Sequence, residues 1–315
     1  MSAGTAAAPA RPSGTTTTLA LVAAAATGVQ VGAAMVATRF VVGQTGPASL
    51  ALLRYAIGFL CLLPAVLAAA SRVRFAARDL APIALLGVAQ FGILVALLNW
   101  GLRLVPAGRG ALVFATFPLL TMLVAAGLGR ERLTWPRTLG VLLTIVGVGL
   151  ALGDKVVQPG AGHGWAGELA VLAAALCGAV CSVLYRPYLR RYPALPVSAL
   201  AMLASVGVLA VLAGVGEGFF AAWPRFTRDG WLAVLFIGAS SGVGYFLWLW
   251  ALGHASPTRV TVFLSLSPAT ALLLGAATLG EGVSALSLAG LACLACGLWA
   301  ANREAGPDPG HEETP

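Results

Sequence analysis

PLLTMLVAAGLGRERLT at residues 118 to 134 returns as PATALLLGAATLGEGVS at residues 268 to 284, 150 positions later. Each is an apolar segment entered by a proline and closed by a glutamate, and the register holds well beyond it. Upstream, Gly92 matches Gly242, Trp100 matches Trp250 and Arg109 matches Arg259; downstream, Gly140 matches Gly290 and Gly147 matches Gly297. Helix breakers and terminal charges are kept while the apolar filling drifts, the mark of a duplicated backbone architecture. The period is far too long for a solenoid.

Composition says what the duplicated unit is made of. Hydrophobic residues are 59% of the chain and charged residues 10%, against roughly 25% charged in soluble domains. Apolar runs of about 20 residues, enough to cross a ~30 Å hydrocarbon core as helix, alternate with short charged connections. Spans are expected near 19–42, 47–70, 79–102, 107–128, 136–153, 165–186, 195–216, 230–252, 258–279 and 285–301. The fold class is therefore an all-α integral membrane protein, ten transmembrane helices forming two inverted five-helix repeats at 19–153 and 165–301. Residues 1–18 and 302–315 are small and polar and read as disordered cytoplasmic tails.

Inversion follows because five is odd, so the second unit must enter the membrane from the opposite side. Charge tests that demand. With a cytoplasmic N-terminus, twelve arginines fall inside, among them Arg72, Arg74, Arg78, Arg130, Arg132, Arg186, Arg190 and Arg191. Six basic residues fall outside: Arg39, Arg103, Arg109, Lys155, Arg225 and Arg228. This is the positive-inside bias. It also acts within the repeat, since the inward GRER (129–132) corresponds to an outward LGEG (279–282) stripped of both arginines.

The net charge of +8 does not point to nucleic acid, because the arginines are spread over short loops rather than gathered with aromatics into a patch. No GxxxxGK[ST] loop is present, which removes direct ATP use. All five cysteines lie in spans, where a disulfide framework has nothing to staple, and Cys293 and Cys296 read as small apolar filler rather than a redox pair. His163, His254 and His311 sit in loops or the tail, so no metal site or cofactor is expected.

Polar groups inside a span are costly unless they face protein or a water-filled cavity. The candidate substrate-binding residues are Gln30, Arg54, Gln90, Asn99, Trp100, Ser182, Tyr185, Ser241, Tyr245 and Trp248. Each is also explicable singly as interhelical glue or an interfacial anchor. Arg54, about seven residues into its span, is either an anchor snorkelling outward or a handle for a carboxylate. Pro118 and Pro268 are candidate helix hinges: each removes an N–H and crowds the carbonyl four residues back, at Phe114 and Leu264. Breaks at equivalent places of inverted halves are where such carriers put their binding site.

The stretches ATRF (37–40), PASLALLRY (47–55), FATFPLLTMLVAAGLGRERLT (114–134), GELAVLAAALCGAVCSVLYR (167–186) and SLSPATALLLGAATLGEGVS (265–284) together resemble the drug/metabolite transporter superfamily, and within it the EamA-type branch. The likeness spans nearly the whole chain between the tails. It implies a secondary transporter, not an enzyme, that exports small metabolites such as amino acids or amphiphilic compounds across the plasma membrane by alternating access. One departure is local: the aromatic such proteins often carry early in the first span is replaced by Thr27 and Gly28. A membrane-embedded enzyme or a passive pore are the competing classes, but no nucleophile–base cluster appears and a pore has less use for paired bent helices. Expected partners are the lipid bilayer and a small-molecule substrate. The Gly140/Gly147 and Gly290/Gly297 faces should pack closely, either within the bundle or across a homodimer.

Overall fold

A computed structural model describes residues 14–70, 74–130, 135–157, 165–222 and 224–303. Its elements in order are α1 (Gly14–Val41), α2 (Pro47–Ala70), α3 (Ala77–Gly87) running through a π-helical turn (Val88–Ile93) into α4 (Leu94–Leu104), α5 (Ala107–Phe114), α6 (Phe117–Gly127) and α7 (Trp135–Val157). The second half continues with α8 (Ala166–Leu189), α9 (Ala194–Glu217), α10 (Arg228–His254), α11 (Pro257–Thr261), a 3₁₀ turn (Val262–Ser265), α12 (Leu266–Leu279) and α13 (Ala285–Arg303). Among the described residues, eight helical stretches are long and apolar enough to cross a membrane. Two more, within α7 and α13, are apolar only over Thr138–Leu150 and Ala285–Gly297, so length and composition support eight spans outright and leave the expected count of ten to rest on these two shorter helices. Helix α1 starts at Gly14, so residues 14–18 belong to it rather than to the expected tail. The rest of both tails from 1–13 and 304–315, and Glu131 and Arg132, lie outside the described residues.

The duplication is visible in who packs on whom. Helix α1 lies on α10, and its equivalent α8 lies on α4; α1 also lies on α12, and α8 on α6. In the same way α2 meets α10 while α9 meets α3, and the remaining major pairs, α2 with α9 and α7 with α13, join equivalent helices to each other. Such an exchange pattern is what a two-fold relation between the halves produces. The halves are inverted: α6 ends where Arg130 Nη1 donates to the Val183 carbonyl at 2.6 Å. Its equivalent α12 ends at the opposite pole, where Glu281 meets the start of α5.

Glycine permits the closest of these contacts, because lipid-exposed helices associate by van der Waals fit rather than by expelling water. A Cβ on Gly147 would stand 2.6 Å from the Gly290 carbonyl oxygen, and one on Gly297 would stand 2.7 Å from that of Gly140. The paired glycine faces therefore meet each other inside one chain. Gly28 of α1 approaches the Phe263 carbonyl so closely that a Cβ would be 2.1 Å away. No side chain fits at position 28, where α1 crosses the break in the ninth span, so an aromatic is excluded there.

Candidate functional site

Both proline-bearing segments are interrupted at matching places. The fourth expected span breaks at Ala115 and Thr116, between α5 and α6, and the ninth narrows to the 3₁₀ turn between α11 and α12. Pro118 and Pro268 each stand in the first turn of the helix that resumes, where a missing N–H costs little. Phe114 and Leu264, four residues before each proline, both face one internal cavity.

That cavity is narrow, with about 500 Å³ of non-atom space once its open mouth is included. The first half supplies Thr27, Gln30 and Val31 of α1, Arg54 of α2, Gln90 of the π turn, Leu94, Val95 and Leu98 of α4, Phe114 and Phe117. The second half supplies Gly244, Tyr245 and Trp248 of α10 and Leu264. The site thus lies between the repeats. Its aromatic wall is continuous: Phe117 stands edge-on to Trp248 at 6.0 Å between centroids and touches Phe114 at 5.3 Å.

Among the described residues that line the site, Arg54 alone is ionised. It does not snorkel to the interface: it is 6% exposed, and its Nε donates to Ser241 Oγ at 2.6 Å. Behind it Tyr55, fully buried, donates its hydroxyl to the Tyr245 hydroxyl at 3.0 Å. The rings of Tyr55, Phe91 and Tyr245 pack against one another, fixing Tyr245 at the cavity edge. Across the site, Gln30 Nε2 donates to Ser240 Oγ at 3.1 Å, and Gln90 keeps a buried Oε1 with no partner.

Five expected residues therefore line the cavity, namely Gln30, Arg54, Gln90, Tyr245 and Trp248, and Ser241 supports one of them. The other four lie elsewhere. Asn99 is buried but donates Nδ2 to the Pro47 carbonyl at 2.9 Å, tying α4 to the start of α2. Ser182 returns its hydroxyl to Gly178 within its own helix, Tyr185 is enclosed with its hydroxyl unpaired, and Trp100 is 43% exposed on the outer surface. Depth along a span was legible for these four; the helix face was not. Thr27, on the helical face of Gln30, also lines the cavity; Phe114 and Phe117 are lining residues absent from the expected set, and both sit beside the proline break that pointed to the region. Two cysteines that carried no sequence expectation beyond lying in a span touch this region: Cys177 donates to the Ala89 carbonyl of the π turn at 3.3 Å and Cys181 to the Leu86 carbonyl just before it at 3.9 Å.

The poles of the bundle are tied across the repeats. At one, Glu217 at the end of α9 accepts from the Ala48 and Ser49 amides at 2.9 and 2.7 Å and from Ser49 Oγ at 2.7 Å. At the same pole Glu281 accepts from the Ala107 and Gly108 amides at 3.0 and 3.4 Å, with Arg39 Nε 3.8 Å away. Carboxylates at helix N-termini are favoured by the exposed N–H groups and the macrodipole. At the other pole Asp79 accepts from the Tyr192 hydroxyl at 2.7 Å and lies 3.5 Å from Arg191. Among the described residues no group of His, Cys, Asp and Glu is placed to hold a metal ion.

Known proteins share this arrangement. The EamA-like transporter family matches the chain twice, over residues 18–153 and 165–303. A probable terminal-alkyne amino-acid exporter of Streptantibioticus cattleyicolor is 33% identical over 72% of this chain and 74% of its own. The aromatic amino acid exporter YddG of Ancylobacter novellus is 29% identical over 59% and 69% respectively, and the uncharacterized transporter YdfC of Bacillus subtilis is 27% identical over 78% of each. A protein crystal structure superposes with a TM-score of 0.69 over 90% of this chain and 96% of that one, at 22% identity, a likeness of fold alone. With the family matched in both halves, apolar helices throughout and a cavity between the repeats, the chain is a multi-pass membrane protein of the EamA-like transporter family, in the drug/metabolite transporter superfamily.

Proposed function

We propose that this protein exports small metabolites, amino acids or amphiphilic compounds related to them, across the plasma membrane by alternating access. Ten spans with both termini in the cytoplasm complete the proposal, α7 and α13 being the two short ones. The observation that carries it is Arg54: a buried guanidinium with no ion pair among the described residues, facing an aromatic-walled cavity between two interrupted helices. Eased only by the Ser241 hydroxyl and by the Tyr55 ring 5.8 Å away, a buried charge without a counter-charge is expensive. It is retained where a ligand supplies the counter-charge, and a carboxylate matches the planar fork of arginine. The amino-acid exporters among the relatives support that substrate class. Alternating access is supported by the breaks on both sides of the cavity, which give each repeat a deformable segment, and by ties at both poles that must open in turn.

The test is counterflow of labelled amino acids in proteoliposomes. A carrier accelerates label entry when unlabelled substrate is on the far side, and a pore does not. Arg54→Gln should remove at least 10-fold of the transport efficiency for carboxylate substrates, as loss of a charge-assisted hydrogen bond implies. Equal transport by wild type and Arg54→Gln would end the handle role of Arg54.

A further inference from the structure

The charge balance of the cavity narrows the substrate further, on the reading that Arg54 holds a carboxylate. Among the described residues, none that lines the cavity is acidic. The buried carboxylates among the described residues, Asp79 and Glu168, lie in the first turns of α3 and α8. Arg54 uses Nε on Ser241, and its two terminal nitrogens make no hydrogen bond within the described protein. Gln90 adds a buried carbonyl oxygen still lacking a donor.

We infer that the preferred substrate is a monoanion, a carboxylate with an apolar or aromatic body and a neutral N–H or O–H donor, such as an amino-acid derivative whose amine is acylated or replaced by hydroxyl. A monoanion neutralises Arg54, and the loaded cavity is then uncharged as the carrier passes through its closed state. A zwitterion brings an ammonium group that finds only neutral acceptors and leaves the loaded site with a net positive charge. The amide N–H or hydroxyl of the derivative instead satisfies Gln90. Energetics follow from the same count. Arg54 returns to its place each cycle, so the charge moved per turnover is that of the substrate. An inside-negative membrane then drives the anion outward with no coupled ion, at about 50-fold per 100 mV.

The experiment uses the full chain in proteoliposomes with potassium gradients and valinomycin, and three probes: N-acetylphenylalanine, phenylalanine and N-acetylphenylalaninamide. The anion should bind about 10- to 100-fold more tightly than the neutral amide, measured by quenching of tryptophan emission, with Trp248 in the wall as reporter. Arg54→Gln, checked for an unchanged melting temperature, should erase that preference. Should the variant fail to fold, Ser241→Ala serves instead and should reduce the preference. Efflux of the anion should quicken when the lumen is made negative. Preference for phenylalanine, or efflux indifferent to potential, overturns this inference and leaves the carrier reading standing. If folded protein neither binds nor moves any of the three, the inference and the proposed function fall together.

Discussion

Replacing Gly28 by alanine isolates the contact that lets α1 share the cavity with the broken ninth span. The new Cβ would stand 2.1 Å from the Phe263 carbonyl oxygen, 3.0 Å from its carbon and 3.3 Å from Leu266 Cβ. Ordinary contact begins near 3.4 Å, so α1 must retreat by about 1.3 Å (3.4 − 2.1) from a backbone atom that cannot swing aside. Overpacking of this kind costs about 1–3 kcal/mol. Alanine's better helix propensity returns at most about 1 kcal/mol, and a clash with backbone belongs at the upper end, leaving a net loss of about 2 kcal/mol. Because Thr27 and Gln30 flank the site on the same helix, the retreat also withdraws two lining groups, and KM should rise. Gly207→Ala is the control: nothing lies within 4 Å of that position on α9, so the propensity gain stands alone. Thermal unfolding in detergent should rank Gly28→Ala below wild type and Gly207→Ala at or above it. A Gly28→Ala protein that melts with wild type and transports with unchanged KM would refute the reasoning.

Gly147→Leu should lower folded yield without altering oligomer size in detergent, because the face it fills is closed by Gly290 of the same chain; a change of oligomer size at full yield would contradict that assignment. Glu217→Gln weakens the carboxylate cap on Ala48 and Ser49 by about 0.3–1 kcal/mol, and single cysteines in the cavity should become more accessible to impermeant thiol reagents from that pole alone. Pro118→Ala and Pro268→Ala restore a helix N–H and should shift accessibility at Gln30 and Tyr245 in opposite directions, since the halves are inverted; unchanged accessibility and transport in both would leave the prolines as scaffold. A cysteine at Ser13 or Thr314 in a cysteine-free background should resist impermeant reagent in intact cells while one at Gly160 reacts, and labelling of either tail would reverse the proposed topology.

Arg54 and Trp100 show where reading a sequence ends. Both sit in apolar runs at positions that counting along the helix places below the membrane surface. For Arg54 the two options, anchor or handle, differ only in whether a partner waits across the helix interface, and that partner, Ser241, is 187 residues away. Trp100 has the same aromatic character as Trp248, yet one faces outward and the other inward. In α2 and α10, which carry Arg54 and Trp248 and are hydrophobic nearly all round, the moment that would reveal the buried face is weak. The π turn deepens the problem, because an extra residue in one turn rotates everything that follows it.

Composition and the 150-residue register determined by themselves that this chain lives in a membrane, that it is duplicated and inverted, and that Pro118 and Pro268 stand at matching points of its fourth and ninth expected spans. Those properties are local: transfer of apolar residues to lipid, the charges of short loops and the missing proline N–H act on each segment whatever surrounds it. Which side chains share the cavity, that the glycine faces of α7 and α13 close on each other, and that Arg54 has no carboxylate partner among the described residues were decided only by tertiary structure. Each depends on the rotation of one helix against another, set by the sum of many weak van der Waals contacts that no single residue announces.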